Sequence, residues 1–114
     1  MELKKTLLNN KIGYIGIDID SNEIKDTLKN IKKHFKKTRI MIRKSSSKKG
    51  YHIIIDKKAT FLENILYRLL LGDDLMRIKY DLARLSCGET KDFDLLSEEK
   101  NGKRAGKWQY IQMK

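Results

Sequence analysis

Two aspartates separated by one residue stand at the end of an apolar segment near the start of the chain. Over Gly13–Asp20, isoleucines alternate with small or polar residues, which predicts a β-strand with one buried face. Asp18 and Asp20 are therefore expected on its polar face, because side chains at i and i+2 share a face. Clustered carboxylates repel one another unless a cation compensates them. The pair is a candidate for divalent-metal chemistry, and the alternative is that it only ends the strand and caps the next helix. Ser21 is a predicted N-cap of that helix.

A histidine and a third aspartate are predicted on the same polar face. His52 alternates with isoleucines in the predicted strand Tyr51–Asp56, and Asp81 is out of phase with the apolar residues of Met76–Leu82. We interpret Met76–Leu82 as a strand, with a helix over Asp74–Leu85 as the alternative. With the first strand at the centre of the sheet, three carboxylates and one imidazole would converge. Mg²⁺ or Mn²⁺ held by such oxygen ligands supports phosphoryl transfer.

A serine- and lysine-rich turn comes directly before the histidine strand. Ser45–Gly50 offers hydroxyl groups, backbone N–H groups and the ammonium groups of Lys48 and Lys49 to a phosphate chain. His52 could donate a hydrogen bond to a phosphate oxygen from the adjacent strand. The alternative interpretation is a mobile basic hairpin that carries a surface histidine.

The elements that must position these residues follow the order β-α-β-β-α-β. A second strand is predicted over Thr38–Lys44, and a second helix over Phe61–Leu70 is ended by Gly72. Phe93–Ser97 and Lys107–Gln112 are predicted to form a C-terminal β-hairpin. The expected fold class is α+β, a ferredoxin-like or RNA-recognition-like antiparallel sheet with two helices on one face.

Composition narrows the class of partner. The chain has 114 residues, with 26 Lys plus Arg, 15 Asp plus Glu and a formal charge of +11. The length predicts one domain over residues 1–114. The positive charge favours nucleic acid or nucleotides, because basic side chains release counterions from phosphates; the alternative is a solvated cationic surface.

Three further features bear on where the protein works. No apolar run approaches the roughly 20 residues of a membrane span, and Met1–Asn10 lacks the pattern of a secretory signal. The single cysteine, Cys87, excludes an internal disulfide framework. We therefore expect a cytoplasmic protein with no membrane partner.

The ordered motifs resemble those of the archaeo-eukaryotic primase superfamily. Ile17–Asp20 matches its first motif, a hydrophobic-Asp-hydrophobic-Asp/Glu strand, and Ser46–His52 is similar to its second, a small-x-His element preceded by Ser, basic residues and Gly. Arg77–Asp81, with Arg84, resembles its hydrophobic-Asp third motif. The resemblance covers about Gly13 to Arg84.

The resemblance implies a metal-dependent nucleotidyltransferase that adds nucleoside triphosphates to a nucleic-acid strand in DNA replication or repair. It implies Mg²⁺ or Mn²⁺ as cofactor, held by the catalytic carboxylates Asp18, Asp20 and Asp81, with Asp92 or Asp94 as alternatives for the third. It implies that the nucleotide is held by Ser46, Ser47, Lys48, Lys49 and His52. Further candidates for phosphate or template contacts are Arg39, Arg43, Arg77 and Arg84. The implied partners are a nucleic-acid template, nucleoside triphosphates, and a helicase or accessory primase subunit.

Two other functions remain open from the sequence. A noncatalytic RNA-recognition domain has the same predicted topology, and Lys49–Tyr51 resembles the start of its aromatic motif. The strand positions that follow lack the aromatic side chains that base stacking needs, and Trp108 and Tyr110 are predicted to pack. A subunit that depends on a partner to hold the template is the other alternative.

Overall fold

Alternating isoleucines build the main sheet of this protein. The structure, a computed structural model, describes residues 2–111. In chain order the elements are α1 (Leu3–Asn9), β1 (Lys11–Ile12), β2 (Ile15–Ile19), α2 (Lys25–His34), β3 (Ile40–Lys44), β4 (Tyr51–Ile55), β5 (Ala59–Thr60), α3 (Phe61–Leu70), α4 (Leu75–Ser86), β6 (Glu99–Lys100), β7 (Lys103–Arg104) and β8 (Gln109–Ile111). Four of the strands form an antiparallel sheet in the order β2-β4-β3-β8.

One face of this sheet is a layer of buried isoleucines. The five that no solvent reaches are Ile15, Ile17, Ile40, Ile53 and Ile55. Helix α2 covers them through Ile31, and α3 contributes Tyr67. Burying each such side chain contributes about 1.5–3 kcal/mol, so this layer determines which strand residues face the opposite side. The α+β class, the antiparallel sheet and the strands predicted before residue 57 are confirmed.

The fourth predicted strand is wrong, because Met76–Leu82 lies within helix α4. Asp74 caps this helix, since its carboxylate accepts a hydrogen bond from the amide of Met76 at 2.8 Å. The helical alternative over Asp74–Leu85 is confirmed. Leaving out β5, which pairs with β1, the elements from β2 to α4 therefore follow the order β-α-β-β-α-α.

Apolar spacing in this segment fits both a strand and a helix. Ile78, Tyr80 and Leu82 alternate as in a strand, but Ile78 and Leu85 also share one helical face. Packing decides between them: Ile78 and Leu85 are buried, and Tyr80 is 57% exposed. The segment folds as a helix because the face that carries Ile78 and Leu85 packs in a second apolar cluster with α1 and α3.

Because α4 replaces a strand, β2 forms an edge of the main sheet instead of its centre. Side chains make the hydrogen bonds that a neighbouring strand would make. The Gly16 amide donates to Asp94 Oδ2 at 2.6 Å, and the Asp18 amide donates to Asp73 Oδ1 at 2.8 Å. The Asp18 carbonyl accepts from the Asp74 amide at 3.2 Å. The edge that carries the first aspartate motif is thus held by α4 and the segments on either side of it.

The C-terminal hairpin differs from the predicted one. Phe93–Ser97 forms no strand, and β8 pairs with β3 through Ile40 opposite Ile111. The observed hairpin is the short pair β6 and β7. The last residue of the predicted strand, Gln112, lies outside the described residues.

The predicted cap of the first long helix is also wrong. Helix α2 begins after Ile24, which makes no side-chain cap, and the Ser21 hydroxyl instead accepts a hydrogen bond from the Glu23 amide at 3.0 Å. Ser21 therefore shapes the turn that leads out of β2. Within residues 2–111, no helix has the length and apolar character that crossing a bilayer would require.

Candidate functional site

Three polar side chains form a row across the face of the sheet opposite α2 and α3. Asp18 on β2 pairs with His52 on β4, which pairs in turn with Arg43 on β3. Arg43 Nε donates to His52 Nδ1 at 3.0 Å, and His52 Nε2 lies 3.8 Å from Asp18 Oδ1. Because Nδ1 accepts this hydrogen bond, a neutral His52 carries its proton on Nε2. That N–H is directed toward the Asp18 side of the row.

The environment of His52 keeps its imidazole neutral. Burial is the largest cause that lowers the pKa of His52 from 6.5 to about 4. The positive charges of Arg43 and Arg77 lower this pKa further, and the negative charge of Asp73 opposes the shift. At neutral pH the side chain is therefore a fixed hydrogen-bond donor through Nε2. A neutral donor of this kind can bind a phosphate oxygen without adding a charge of its own.

The depressed pKa of His52 predicts a pH-dependent stability. His52 takes up a proton less readily in the folded protein than in the unfolded chain. Its contribution to the stability of the folded state is therefore fully present above about pH 6.5 and is lost as the pH falls toward 4. The free energy of unfolding should fall by up to about 3 kcal/mol over this range, at 1.36 kcal/mol per pKa unit. Urea unfolding of the wild type and of His52→Gln at several pH values checks this.

The His52→Gln profile should be flatter than that of the wild type between these pH values. His34→Gln is the matched control, because His34 is exposed at the end of α2. Identical slopes for the wild type and His52→Gln would contradict a buried, neutral His52.

An open cleft of about 550 Å³ lies beside this row. It brings together many of the residues that the sequence singled out. Its lining includes Asp18, Asp20, Ser45, Ser46, Ser47, His52 and Arg77. The lining also contains residues that sequence reasoning missed: Asp74, Met76, Tyr80, Leu95, Leu96, Ser97 and Lys100. The aspartate pair, the histidine and the serine turn thus line one cleft.

Negative charge is concentrated around Asp18. Burial, and then the charges of Asp73, Asp74 and Asp20, raise the pKa of the Asp18 carboxyl above its usual value, while Arg77 opposes this. In the part of the chain that the structure describes, no group of three or more His, Cys, Asp or Glu side chains could hold a metal ion. Mg²⁺ often uses one or two carboxylates together with substrate phosphates. These carboxylates therefore fit a cation that arrives with a phosphate ligand better than one in an all-protein site.

Asp81, predicted as the third metal ligand, does not line the cleft. It is buried, its carboxylate is 2.7 Å from Arg68 Nη1, and it accepts the Asp94 amide at 3.2 Å. The error follows from the strand prediction, because only a strand would direct Asp81 to the polar face of the sheet. Neither alternative, Asp92 or Asp94, lines the cleft. Asp74 is a further carboxylate that lines the cleft. The sequence signal that could have identified it is its position directly before the apolar periodicity of α4.

A buried ion-pair network lies beside the cleft, and one of its members, Arg77, lines the cleft. Arg68 lies 2.7 Å from Asp73 and 3.9 Å from Asp94, and none of these three side chains is exposed. Arg77 contacts the same two carboxylates, each at 2.6 Å. Since these carboxylates also hold the amides of the β2 edge, the network fixes the strand that carries Asp18.

The serine- and lysine-rich turn contributes to two adjacent pockets. Ser46 and Ser47 line the main cleft and also a neighbouring pocket of about 300 Å³. Lys49 lines this second pocket with two lysines of the β6–β7 hairpin, Lys100 and Lys103. Lys48 Nζ donates to the Arg104 carbonyl at 3.0 Å and so attaches the turn to that hairpin. The hairpin lysines were missed because the sequence shows only a basic turn there.

Gly50 allows the turn to pack against the end of β2. A Cβ atom at this position would overlap the carbonyl oxygen of Ile19 and lie 3.1 Å from the Asp20 Cα. Gly50→Ala should therefore lower the free energy of unfolding by about 1–3 kcal/mol, because one of the two backbones must move. Urea unfolding checks this, with Gly13→Ala as the control, since its Cβ would meet nothing within 4 Å. Equal stability of the two variants would contradict the close approach.

The four candidate arginines have different surroundings. Arg43 is buried and donates to the carbonyls of Leu96 and Ser97 in addition to His52. Arg77 belongs to the ion-pair network, and Arg84 is 3.5 Å from Asp81. Arg39 is exposed, and its guanidinium lies 4.9 Å from the centroid of the Tyr110 ring.

A scan against protein-family models and searches of curated proteins and of solved structures gave no match to this chain. Its function must therefore be inferred from the geometry of the cleft. The cleft combines carboxylates, a neutral N–H donor, hydroxyl groups and nearby ammonium groups. Such a set can bind a phosphate chain together with a divalent cation.

Proposed function

We propose that this protein is a metal-dependent nucleotidyltransferase of the primase-polymerase type, which adds nucleoside triphosphates to a nucleic-acid strand. One observation carries the proposal: Asp18, Asp20, the neutral His52 and the Ser45–Ser47 turn line the same open cleft. The motif order that resembles the archaeo-eukaryotic primase superfamily supports the same function.

Each side of the cleft has a role in this proposal. His52 Nε2 donates to a phosphate oxygen, and Arg43 keeps the imidazole in the required tautomer through its bond to Nδ1. The hydroxyl of Ser47 and the ammonium of Lys49 bind the far end of the phosphate chain. Asp18 and Asp20 would hold Mg²⁺ or Mn²⁺. When bound, the metal would neutralise phosphate charge and favour attack of the 3′-hydroxyl of the strand on the α-phosphate, from which pyrophosphate leaves.

The part of the same sheet face that lies beyond the buried Arg43 suits the nucleic-acid strand. Arg39, Met41, Ile54 and Tyr110 line a pocket of about 350 Å³ on this face. Tyr110 is 64% exposed, so its ring is available for stacking on a base, contrary to the packing role expected from the sequence. The formal charge of +11 favours a phosphate backbone. A helicase or accessory subunit would help to hold the template, and the proposed location is the cytoplasm.

A noncatalytic nucleic-acid-binding module is the second candidate function. The exposed Arg39–Tyr110 pair favours it, because a cation and an aromatic ring on one sheet face bind single strands without any metal. The carboxylates of the cleft distinguish the two functions, since a binding module has no need for them and they repel phosphates.

Template-dependent nucleotide incorporation tests the proposal. The assay uses the full chain with Mg²⁺ or Mn²⁺, with and without a primer, beside the double variant Asp18→Ala/Asp20→Ala. Incorporation by the wild type that is lost in the folded double variant is the expected result. Metal-independent binding of single strands without incorporation, unchanged in the double variant, would overturn the proposal in favour of the binding module.

A further inference from the structure

Exposed apolar side chains line one part of the candidate cleft. Met76 and Tyr80, four residues apart on one face of α4, are 49% and 57% exposed, and Leu95 is 58% exposed. All three line the same cleft as the Ser45–Ser47 turn and Asp18. A site that took only phosphate and metal would have no use for such a surface.

The core of the protein does not require these side chains. Helix α4 buries Ile78 and Leu85 on its other face, in the cluster with α3. Met76 and Tyr80 therefore contribute little to the packing of the helix, and their exposure is not a by-product of an incomplete core. Exposed apolar groups that line a polar cleft are typical of a ligand site.

We infer that Met76, Tyr80 and Leu95 form the nucleobase site for the nucleotide whose phosphates bind near Ser47 and His52. This inference rests on the proposed function. A cleft of about 550 Å³ is within the size range of small-molecule sites and takes a phosphate chain and a base together. The Tyr80 ring offers a stacking surface, and stacking on an aromatic ring accepts every base because each has a π-face.

The chemistry of this surface also predicts its selectivity. Met76 and Leu95 present no strong hydrogen-bonding groups, so they cannot read the polar edges of a base. Purines should bind more tightly than pyrimidines because of their larger stacking area, and adenine and guanine should bind nearly equally. Discrimination between bases is then left to the template strand.

Calorimetric titration in the presence of Mg²⁺ separates the contribution of the base to the binding affinity from that of the phosphates. The probes are inorganic triphosphate, ATP, GTP and CTP, each added to the wild type, Tyr80→Ala and Leu75→Ala. In the wild type, ATP should bind roughly tenfold more tightly than inorganic triphosphate. Tyr80→Ala should remove this ratio and leave the affinity for inorganic triphosphate unchanged. Leu75→Ala is the matched control, because Leu75 is 59% exposed on the same helix and does not line the cleft.

The outcomes test the nucleobase site separately from the proposed function. Equal affinity of the wild type for ATP and inorganic triphosphate, or an unchanged ratio in Tyr80→Ala, would overturn the nucleobase site and leave the phosphate site standing. Failure of every probe to bind would overturn the proposed function and the nucleobase site with it. Loss of the ratio in folded Leu95→Ser as well would support the site through a residue outside α4.

Discussion

Replacing Arg68 by methionine is expected to lower the free energy of unfolding by about 3–5 kcal/mol. The Arg68 side chain is fully buried, and its guanidinium lies 2.7 Å from each of Asp73 and Asp81. Methionine has a similar length but no charge, so the variant leaves buried Asp81 without its nearest counter-charge and Asp73 with Arg77 alone. Removing one partner of a buried ion pair is costly because the remaining charge has already lost its water.

Urea unfolding followed by circular dichroism measures this effect. Arg84→Met is the matched control, since the Arg84 side chain is 45% exposed and also pairs with Asp81, at 3.5 Å. Exposed pairs contribute at most about 1 kcal/mol, so the control should unfold nearly as the wild type does. A similar, small loss in both variants would show that the buried network does not hold the fold together.

Asp18→Asn is expected to weaken Mg²⁺-dependent triphosphate binding by roughly 100-fold or more, because a neutral amide cannot neutralise a divalent cation. The same variant should be at least as stable as the wild type. Burial and the charges of neighbouring aspartates raise the pKa of Asp18, so this group contributes stability only in its protonated form. That contribution is fully present below pH 3.8 and is lost as the pH rises through the folded pKa. At neutral pH the amide therefore relieves a repulsion.

Calorimetric titration with inorganic triphosphate and Mg²⁺, combined with urea unfolding at pH 7, measures both quantities. Asp26→Asn removes an exposed carboxylate in the first turn of α2, outside the cleft, and should leave binding unchanged. Binding by Asp18→Asn that equals the wild type would argue against a cation at Asp18. A large loss of stability would argue that its charge serves the fold.

The residues of the two strands with a buried isoleucine face could be placed from the sequence. β2 and β4 each have one face of isoleucines, and a slip of one residue would expose that whole face. That Asp18 and His52 share one face follows from these two strands alone, so this part of the site was predictable. Their direct pairing also depends on the strand order, which places β4 beside β2. The serine turn was predictable as well, because it joins two confirmed strands.

The third carboxylate was not predictable by the same reasoning. The segment that contains Asp81 has apolar residues that satisfy both a period of two and a helical period, and seven residues are too few to separate them. The choice depends on the apolar cluster that α4 shares with α3, which is a long-range contact. The lysines of the β6–β7 hairpin were missed for a similar reason, since only folding brings Lys100 beside Ser47.

The two edges of the main sheet differ in their ability to accept another strand. Along β2, the outward amides of Gly16 and Asp18 are already occupied by Asp94 and Asp73. A further strand, from another molecule or from a partner, would have to displace two buried carboxylates from their arginines. This edge is therefore closed to intermolecular β-pairing and to the aggregation that open edges allow. Any β-augmentation by a partner peptide is directed to the opposite edge, along β8.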